Sequence, residues 1–267
     1  MTTGALIFAF DSEQIDYIGL AAWSAQRIKR HLNIPTAVVT NCTDQCRLVN
    51  FDRVILADAA TGGTRLFSGY TQAQTWYNAG RVDAYTLTPW DQTLVLDADY
   101  VVCSDQLTTA IHSNRDFLCH RMAWDITGIN DFVELNWFGT SRMPMWWATV
   151  MMFRKSTTAE YIFDCMKMVK ENWPHYNDLY HSSGGIFRND HALSIALGIT
   201  SGHTLKVDHM PWSLATIVSS HSLTQLGPDH FEIQYHDQGK LKTLEWQNMD
   251  FHAMCKKQLG DIVANTV

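Results

Sequence analysis

The sequence lacks the long apolar run that a membrane-spanning helix requires. None of its hydrophobic segments approaches the roughly 20 residues that cross a bilayer. The start of the chain also lacks a basic region followed by an apolar stretch and a small-residue cleavage site, which together mark a secretory signal. We therefore expect a cytoplasmic protein that neither spans a membrane nor is secreted.

Prolines, charges and clustered cysteines are also scarce. Only 6 prolines occur in 267 residues, with no Ser/Pro/Gly linker, low-complexity tract or internal repeat, so we expect one domain over 1–267. Charged residues make up 18%, and 20 Lys+Arg against 27 Asp+Glu give a net charge of −7, which argues against an extensive nucleic-acid surface. The six cysteines are scattered along the chain, which favours reduced thiols over a disulfide scaffold. Cys42 and Cys46 lack a second Cys/His pair, so two loop thiols are favoured over a zinc site.

What the sequence does have is apolar bulk arranged in alternating patterns. Hydrophobic residues make up 46% of the chain, and ten Trp, twelve Phe and nine Tyr suffice for a sizeable core. The segments with strand character are 5–10, 37–40, 53–57, 93–96, 117–119 and 149–153. Because helical segments separate many of them, we predict an α/β fold with a doubly wound, mostly parallel sheet.

Three helices follow from the 3.6-residue spacing of apolar positions. They are predicted from Glu13 to a stop at 33–35, over 66–80, and over 157–173. Asp11 or Ser12 is expected to cap the first helix, and Thr157 with Glu160 forms a capping box for the third.

Two segments, 121–147 and the tail from His203, show no sustained period. Long irregular segments are often functional lids or pockets. Gly184 and Gly185 offer a close backbone approach or an ordinary turn. Five tryptophans are candidate platforms for a sugar or acceptor, with burial in the core as the alternative: Trp124, Trp137, Trp146, Trp147 and Trp212.

The most informative stretch is Asp97-Ala98-Asp99, directly after the apolar strand 93–96. Two desolvated carboxylates repel each other, and a divalent cation offsets both the repulsion and the desolvation. Residues i and i+2 of a strand point to the same side, and ligands bind at the carboxyl ends of parallel strands. The pattern favours a metal site over its alternative, a strand-end Asp that caps a turn.

With this motif the sequence resembles the nucleotide-sugar-dependent glycosyltransferases of the GT-A type. It is most similar to their retaining family 8 group, which includes glycogenin and bacterial galactosyltransferases. The resemblance implies that Asp97 and Asp99 bind Mn²⁺ or Mg²⁺, which bridges the donor's diphosphate, and that Asp97 also approaches the ribose. It further implies a GT-A-like fold with a nucleotide-binding half, 1–110, and an acceptor and metal-completing half, 111–267.

Three further residues match positions of that family. Arg81, sixteen positions before Asp97, matches a basic residue near the diphosphate and donor sugar. Tyr17 matches a tyrosine that stacks on uracil, and Asp190, in the segment 189–193, matches a carboxylate beside the reacting sugar. Each also has a structural alternative. Arg81 could extend its charge to solvent from a helix end, Tyr17 could pack on the helix surface, and Asp190 could be a helix N-cap.

His252 lies in a segment similar to the family's His-x-x-Gly-x-x-Lys, which makes it the implied third metal ligand. Cys255 replaces the Gly and Gln258 replaces the Lys. A diphosphate contact from Lys256 or Lys257 therefore requires a shifted register, and we assign it to Lys257.

The resemblance implies a metal-dependent transferase that moves a hexosyl or similar sugar from a UDP-sugar to an unidentified hydroxyl acceptor with retention. Glycans, proteins and modified nucleobases all remain open as acceptors, and the sequence indicates no oligomeric state. The metal and Arg81 are expected to stabilise the departing diphosphate. An inverting enzyme would instead need a general base, for which the candidates are Asp125, Asp131, Glu134 and Asp190.

Other functions are compatible with the same residues. A nucleotidyltransferase or a nucleotide-sugar hydrolase could use a similar metal–diphosphate site. A non-catalytic nucleotide-sugar binding protein would show donor affinity without turnover. A flavodoxin-like module is disfavoured, because no glycine-rich phosphate fingerprint follows Phe10.

Overall fold

A computed structural model describes residues 1–12, 14–66, 70–77, 79–130, 135–140, 142–182, 185–204 and 206–265. The strands are β1 (Thr3–Phe8), β2 (Thr36–Thr40), β3 (Arg53–Leu56), β4 (Gly63–Arg65), β5 (Gln74–Trp76), β6 (Gln92–Leu96), β7 (Tyr100–Val101), β8 (Phe117–His120), β9 (Ala123–Asp125), β10 (Trp137–Phe138), β11 (Met143–Pro144), β12 (Trp147–Arg154), β13 (Leu214–Ile217), β14 (Ser222–Leu226), β15 (His230–Asp237), β16 (Lys240–Gln247) and β17 (Phe251–Ala253). The helices are α1 (Tyr17–Leu32), α2 (Gln45–Leu48), α3 (Ala84–Leu87), α4 (Thr108–Ile111), α5 (Thr157–Glu171), α6 (Trp173–Leu179), α7 (Asn189–Thr200) and α8 (Lys256–Ala264), with a 3₁₀ turn at Ala79–Asp83.

The central sheet has six strands in the order β3-β2-β1-β6-β12-β8. β1 pairs in parallel with β2 and β6, and β2 with β3, whereas β12 is antiparallel to both β6 and β8. Every residue of β2 and β6 is buried, as expected for parallel strands covered on both faces. The predicted α/β class with a mostly parallel sheet is confirmed, and these six strands are the six that the sequence predicts.

The first and third predicted helices exist, but their caps differ from the predictions. Asp16 caps α1, because its Oδ1 accepts a hydrogen bond from the Gly19 N–H at 2.8 Å. The expected cap at Asp11 or Ser12 is therefore wrong, and Glu13 lies outside the described residues. Ser156 caps α5 by accepting from the Ala159 N–H, so Thr157 is the first helical residue and does not form the predicted capping box.

The helix predicted over 66–80 is wrong. The described part of this segment forms β5 and the start of the 3₁₀ turn, and residues 67–69 and 78 lie outside the description. β5 pairs antiparallel with β4, and Gly62 N–H donates to the Trp76 carbonyl at 2.8 Å. Gly63, at φ 121°, has a backbone conformation that favours glycine. Strand pairing outweighs the local helical spacing here.

The tail from His203, whose sequence predicts irregular structure, instead forms strands, so that prediction is wrong. It supplies an antiparallel sheet, β14-β15-β16, and two strands of a second mixed sheet ordered β7-β17-β13-β9. The side chains of β16 are mostly polar and are exposed or half-buried. The strand therefore has no apolar period from which it could be predicted. The second mixed sheet brings β17 beside the turn after β6.

One buried apolar cluster extends through both mixed sheets and the helices α1, α5, α7 and α8. All six cysteines are free thiols, and Cys46 alone among them is exposed. Within the described ranges, no helix has the length and apolar character that would let it cross a membrane.

Candidate active site

A pocket of about 250 Å³ opens where β1 and β6 end. Parallel strands place their carboxyl ends at the same sheet edge, so the residues after β1 and β6 meet there. Six of the seven predicted site residues line this pocket: Tyr17, Arg81, Asp97, Asp99, Asp190 and His252. The seventh, Lys257, lies outside it.

The turn Asp97-Ala98-Asp99 is held on two sides by backbone hydrogen bonds. Asp97 N–H donates to the Thr149 carbonyl on β12 at 2.9 Å, and the Asp97 carbonyl accepts from the Tyr100 N–H at 3.0 Å. On the other side, the Asp99 carbonyl accepts from the Ala253 N–H on β17 at 3.0 Å. β17 also carries His252, so these contacts fix both carboxylates relative to the imidazole.

Asp97, Asp99 and His252 form a group with metal-ligating chemistry. Their ligand atoms all lie within 4.8 Å of one another, a distance that two metal–oxygen bonds of about 2–2.6 Å can bridge. Asp99 Oδ2 is 3.5 Å from His252 Nε2, and both residues are buried. Burial lowers the pKa of His252, which favours the neutral imidazole that metals require. Two carboxylates and an imidazole together form a donor set for a divalent cation.

Arg81 and Asp97 form an ion pair in the wall of the pocket. Arg81 Nη1 lies 2.6 Å from Asp97 Oδ1, and only 1% of Arg81 is exposed. Arg81 Nη2 donates to the Ala148 carbonyl, which fixes the guanidinium plane. Arg81 lies in the 3₁₀ turn, so the pairing is between distant segments rather than along one helix.

Asp190 lies in the first turn of α7 and also lines the pocket. Its Oδ1 accepts from the Ala148 N–H at 3.0 Å, and its Oδ2 lies 3.0 Å from Arg188 Nη2. Burial favours the neutral acid, but the Arg188 charge and the Ala148 hydrogen bond outweigh it and hold the pKa of Asp190 below its ordinary value. The carboxylate is therefore ionised at neutral pH.

Two arginines in the pocket, Arg65 and Arg188, have no counterpart in the sequence prediction, and Lys256, the alternative to Lys257, lines the pocket as well. With Arg81 they place four basic side chains beside the three carboxylates of the lining. The Lys256 ammonium lies against Asp99 Oδ2, and burial, followed by repulsion from Arg65, lowers the pKa of Lys256 to about 7. Arg65 has no sequence signal because it adjoins the segment 66–80, which was wrongly predicted as a helix. In the structure its guanidinium stacks on the Trp76 ring, 5.4 Å from the ring centroid.

Lys257, to which we assigned the diphosphate contact, points elsewhere. Its Nζ lies 2.8 Å from Asp261 Oδ2, one turn further along α8, and the pair is about half exposed. Successive residues of a helix point about 100° apart, so one of two adjacent lysines faces the pocket and the other faces away. The pocket-facing residue is Lys256.

The remaining sequence candidates are divided among several places. Tyr17, the first residue of α1, is half-buried in the pocket wall, and burial raises the pKa of its phenol. Trp147 also lines the pocket, whereas Trp146 is buried in the core and Trp137 is partly exposed on the surface. Trp124 and Trp212 line a second cavity.

Among the general-base candidates other than Asp190, Asp125 is buried outside this pocket. Its carboxylate accepts from Thr127 Oγ1 and Asn130 Nδ2, both at 2.7 Å, and faces His221 Nε2 at 3.0 Å. Asp131, Glu134 and Gly184 lie outside the described residues, and Gly185 accepts from the Trp173 indole at 2.8 Å.

Comparison with known proteins finds a likeness at the level of the fold. No protein-family model matches the sequence, and no curated protein matches it. A structure of the galactosyltransferase LgtC, in complex with donor and acceptor sugar analogs, is 12% identical, with a TM-score of 0.50 over 77% of this chain and 72% of that one.

Two further solved structures resemble the chain more weakly. Mouse xyloside xylosyltransferase 1 is 12% identical, with a TM-score of 0.44 over 76% of this chain and 83% of its own. The glycosyltransferase GlyE of Streptococcus pneumoniae TIGR4 is 13% identical, with a TM-score of 0.43 over 79% of this chain and 46% of its own. The likeness to LgtC shows that this chain has the fold of the GT-A glycosyltransferases.

Proposed function

We propose that this chain is a divalent-metal-dependent glycosyltransferase. It moves a hexosyl or similar group from a nucleotide sugar, with a UDP-sugar as the expected donor, to a hydroxyl acceptor with retention of configuration. The observation that carries the proposal is the convergence of Asp97, Asp99 and His252 within 4.8 Å in a pocket that also holds four basic side chains. UDP and retention follow from the resemblance to the family 8 group.

Asp97, Asp99 and His252 are the residues that would hold the metal. The donor set fits a divalent ion, since its two carboxylates are close together, Asp99 and His252 are buried, and the imidazole is neutral. Bound there, Mn²⁺ or Mg²⁺ would neutralise charge on the diphosphate leaving group.

The cations of the pocket provide the protein's own contribution to leaving-group departure. In the proposed reaction the bond between the sugar carbon and the diphosphate oxygen breaks, a bond to the acceptor oxygen forms, and the proton of the acceptor hydroxyl passes to the departing diphosphate. Arg81 is held rigidly by Asp97 and the Ala148 carbonyl, so it stabilises the departing charge without reorganising. Arg65 and Lys256 add positive charge to the same pocket, and Lys256 takes the role that the sequence assigned to Lys257.

Asp190 and Tyr17 suit the sugar and the base. Asp190, ionised and fixed by the Ala148 N–H, would lie beside the donor sugar, where it could interact with sugar hydroxyls or with positive charge on the ring. Tyr17, at the start of α1, offers an aromatic face to the nucleobase. The free thiols agree with a cytoplasmic location, which we propose as well.

Donor binding tests the proposal first. The melting temperature is measured with UDP, GDP, CDP and their sugar conjugates, each with Mn²⁺ and with EDTA, since a ligand that binds the folded state raises it. We expect a shift with UDP or a UDP-sugar in Mn²⁺ but none in EDTA. Asp99→Asn should abolish the shift, whereas Asp164→Asn, an exposed change on α5, should retain it. A folded wild-type protein without any Mn²⁺-dependent shift would overturn the proposal.

Product analysis then separates sugar transfer from the other reactions of the same site. Transfer releases UDP and adds a hexose to the acceptor, which chromatography and mass spectrometry detect. A hydrolase would release free sugar or sugar phosphate regardless of the acceptor, and a nucleotidyltransferase would transfer the nucleotide. Either of those product patterns would contradict the proposed reaction.

A further inference from the structure

A second cavity of about 380 Å³ lies between the edge strand β8 and the sheet that contains β9 and β13. Among the described residues, its lining shares no member with the lining of the proposed donor pocket. The two are nevertheless adjacent in sequence, because Tyr100 follows Asp99 and Asp250 precedes His252 by two positions. Its volume falls within the roughly 300–1,000 Å³ typical of small-molecule sites.

His120, the last residue of β8, lines this cavity with both ring nitrogens unpaired. The residue is 1% exposed, and neither nitrogen has a hydrogen-bond partner within the described part of the chain. Burial lowers the pKa of His120 to about 3, so the neutral ring offers one N–H donor and one acceptor. Buried polar groups are normally paired with protein, water or a ligand. The cavity is therefore where a hydrogen-bonding molecule would satisfy this imidazole.

Aromatic rings form much of the remaining lining. Trp124 is 37% exposed, and Trp212 is half-buried with its ring edge-to-face to His120 at 6.4 Å between centroids. Tyr100 also lines the cavity and is buried. Trp and Tyr rings present large, rigid apolar faces, against which the C–H face of a sugar ring can pack. The described lining contains no Lys or Arg, and its one carboxylate is Asp250.

These features discriminate between classes of ligand. An anion would meet a carboxylate and no described cation in the lining. A quaternary ammonium ion suits aromatic rings but would leave both His120 nitrogens unpaired. A purely apolar molecule would leave the imidazole without a partner, and would also leave Asp250 Oδ2 without one, since among the described residues only Oδ1 of that carboxylate accepts hydrogen bonds, from the Cys103 N–H and Ser104 Oγ. A sugar hydroxyl both donates and accepts, so a pyranose ring can satisfy His120 while its apolar face covers a tryptophan.

We propose that this cavity binds a pyranose ring of a neutral glycan, as a carbohydrate site separate from the donor pocket. The proposal rests on the proposed function, because a glycosyltransferase handles carbohydrate chains. The two are tested by different measurements. Donor binding depends on Asp99 and Mn²⁺, whereas glycan binding to the second cavity depends on Trp124 and Trp212.

Saturation-transfer NMR tests the second site with lactose, maltotriose and N,N′-diacetylchitobiose at millimolar concentration, and with choline and inorganic phosphate as comparison probes. We expect signal from at least one neutral saccharide in the wild-type protein and, undiminished, in Asp99→Asn. Trp212→Ala and Trp124→Ala should weaken binding at least tenfold. Trp137→Ala is the matched control, because Trp137 has the same 37% exposure as Trp124 and does not line the cavity.

Several results would overturn the site. They are no saccharide binding to the folded wild-type protein, binding that survives both cavity tryptophan variants, loss of binding in Asp99→Asn, and preferential binding of choline or phosphate. Saccharide binding without a Mn²⁺-dependent donor shift would instead contradict the proposed function and support the second cavity. A donor shift retained in Trp212→Ala, together with lost saccharide binding, would support both.

Discussion

Arg81 and Asp190 are joined through a single residue, Ala148. The Ala148 carbonyl accepts from Arg81 Nη2, and the Ala148 N–H donates to Asp190 Oδ1 at 3.0 Å. Ala148 lies at the start of β12, a strand of buried side chains in the central sheet. The cation and the carboxylate that both line the pocket are therefore positioned by the same rigid backbone.

Replacing Arg81 with Lys should lower kcat while leaving the protein folded. A lysine retains the charge, but its single ammonium lacks the planar fork that reaches both Asp97 Oδ1 and the Ala148 carbonyl. We expect a loss of about 10²-fold, in the range found when one fixed donor to a developing charge is removed. Steady-state kinetics with the identified donor measures it. Arg115→Lys, which alters an exposed pair with Asp208, is the control, and equal activity of both variants would contradict the role of Arg81.

Replacing Asp190 with Asn should separate chemistry from donor binding. The amide oxygen can still accept from the Ala148 N–H, but the negative charge beside the proposed sugar position is lost. We expect kcat to fall about 10²-fold, with the Mn²⁺-dependent donor shift retained. If the donor shift disappears and kcat at saturation is unchanged, Asp190 contributes to binding alone and this prediction is wrong.

Lys256 and Lys257 provide a neighbouring pair for testing which lysine meets the diphosphate. Lys256→Met removes a cation from the pocket, so UDP affinity in Mn²⁺ should fall about tenfold or more by isothermal titration calorimetry. Lys257→Met loses only its exposed pair with Asp261, outside the pocket, so UDP affinity should stay at the wild-type value. The reverse ranking of the two variants would restore the assignment made from the sequence.

Much of this site was predictable from sequence because its residues follow short, strongly apolar strands. The strand before Asp97 is fully buried, and its end fixes where the two carboxylates lie. Arg65 and Lys256 were harder to place, because their positions depend on contacts between distant segments. Arg65 depends on the pairing of β4 with β5, and Lys256 on where α8 begins. The polar strand β16 has no apolar period to reveal it.

Arg27 should be a major contributor to stability away from the pocket. Its guanidinium donates to the carbonyls of Val102 and Pro228, both at 2.6 Å, and of Gly227 at 2.9 Å, which ties α1 to the segments around β7 and β14. Arg27→Met should lower the free energy of unfolding by about 2–4 kcal/mol, because it removes the donor to the buried Val102 carbonyl and two part-buried hydrogen bonds. Arg30→Met, an exposed change on the same helix, should change it by less than about 0.5 kcal/mol in urea titrations. Equal effects would show that the Arg27 contacts contribute little.

The Asp125 carboxylate should make part of the stability depend on acidic pH. Burial opposes its ionisation, but hydrogen bonds with His221, Thr127 and Asn130 outweigh burial and hold the pKa of Asp125 below its ordinary 3.8. The folded state therefore binds this proton more weakly than the unfolded state does. The contribution is fully present above the unfolded pKa and is lost as the pH falls through the lower folded pKa.

Asp125→Asn removes that titration. At neutral pH the variant should be less stable than the wild type by about 1–3 kcal/mol, because an amide cannot accept all of these hydrogen bonds. The difference should shrink as the pH falls below about 4, since protonation then removes the advantage of the wild-type carboxylate. Urea unfolding of both proteins across this range measures the change, with Asp164→Asn as an exposed control. A difference that stays constant, or grows toward acid, would mean that the hydrogen bonds do not favour the ionised form.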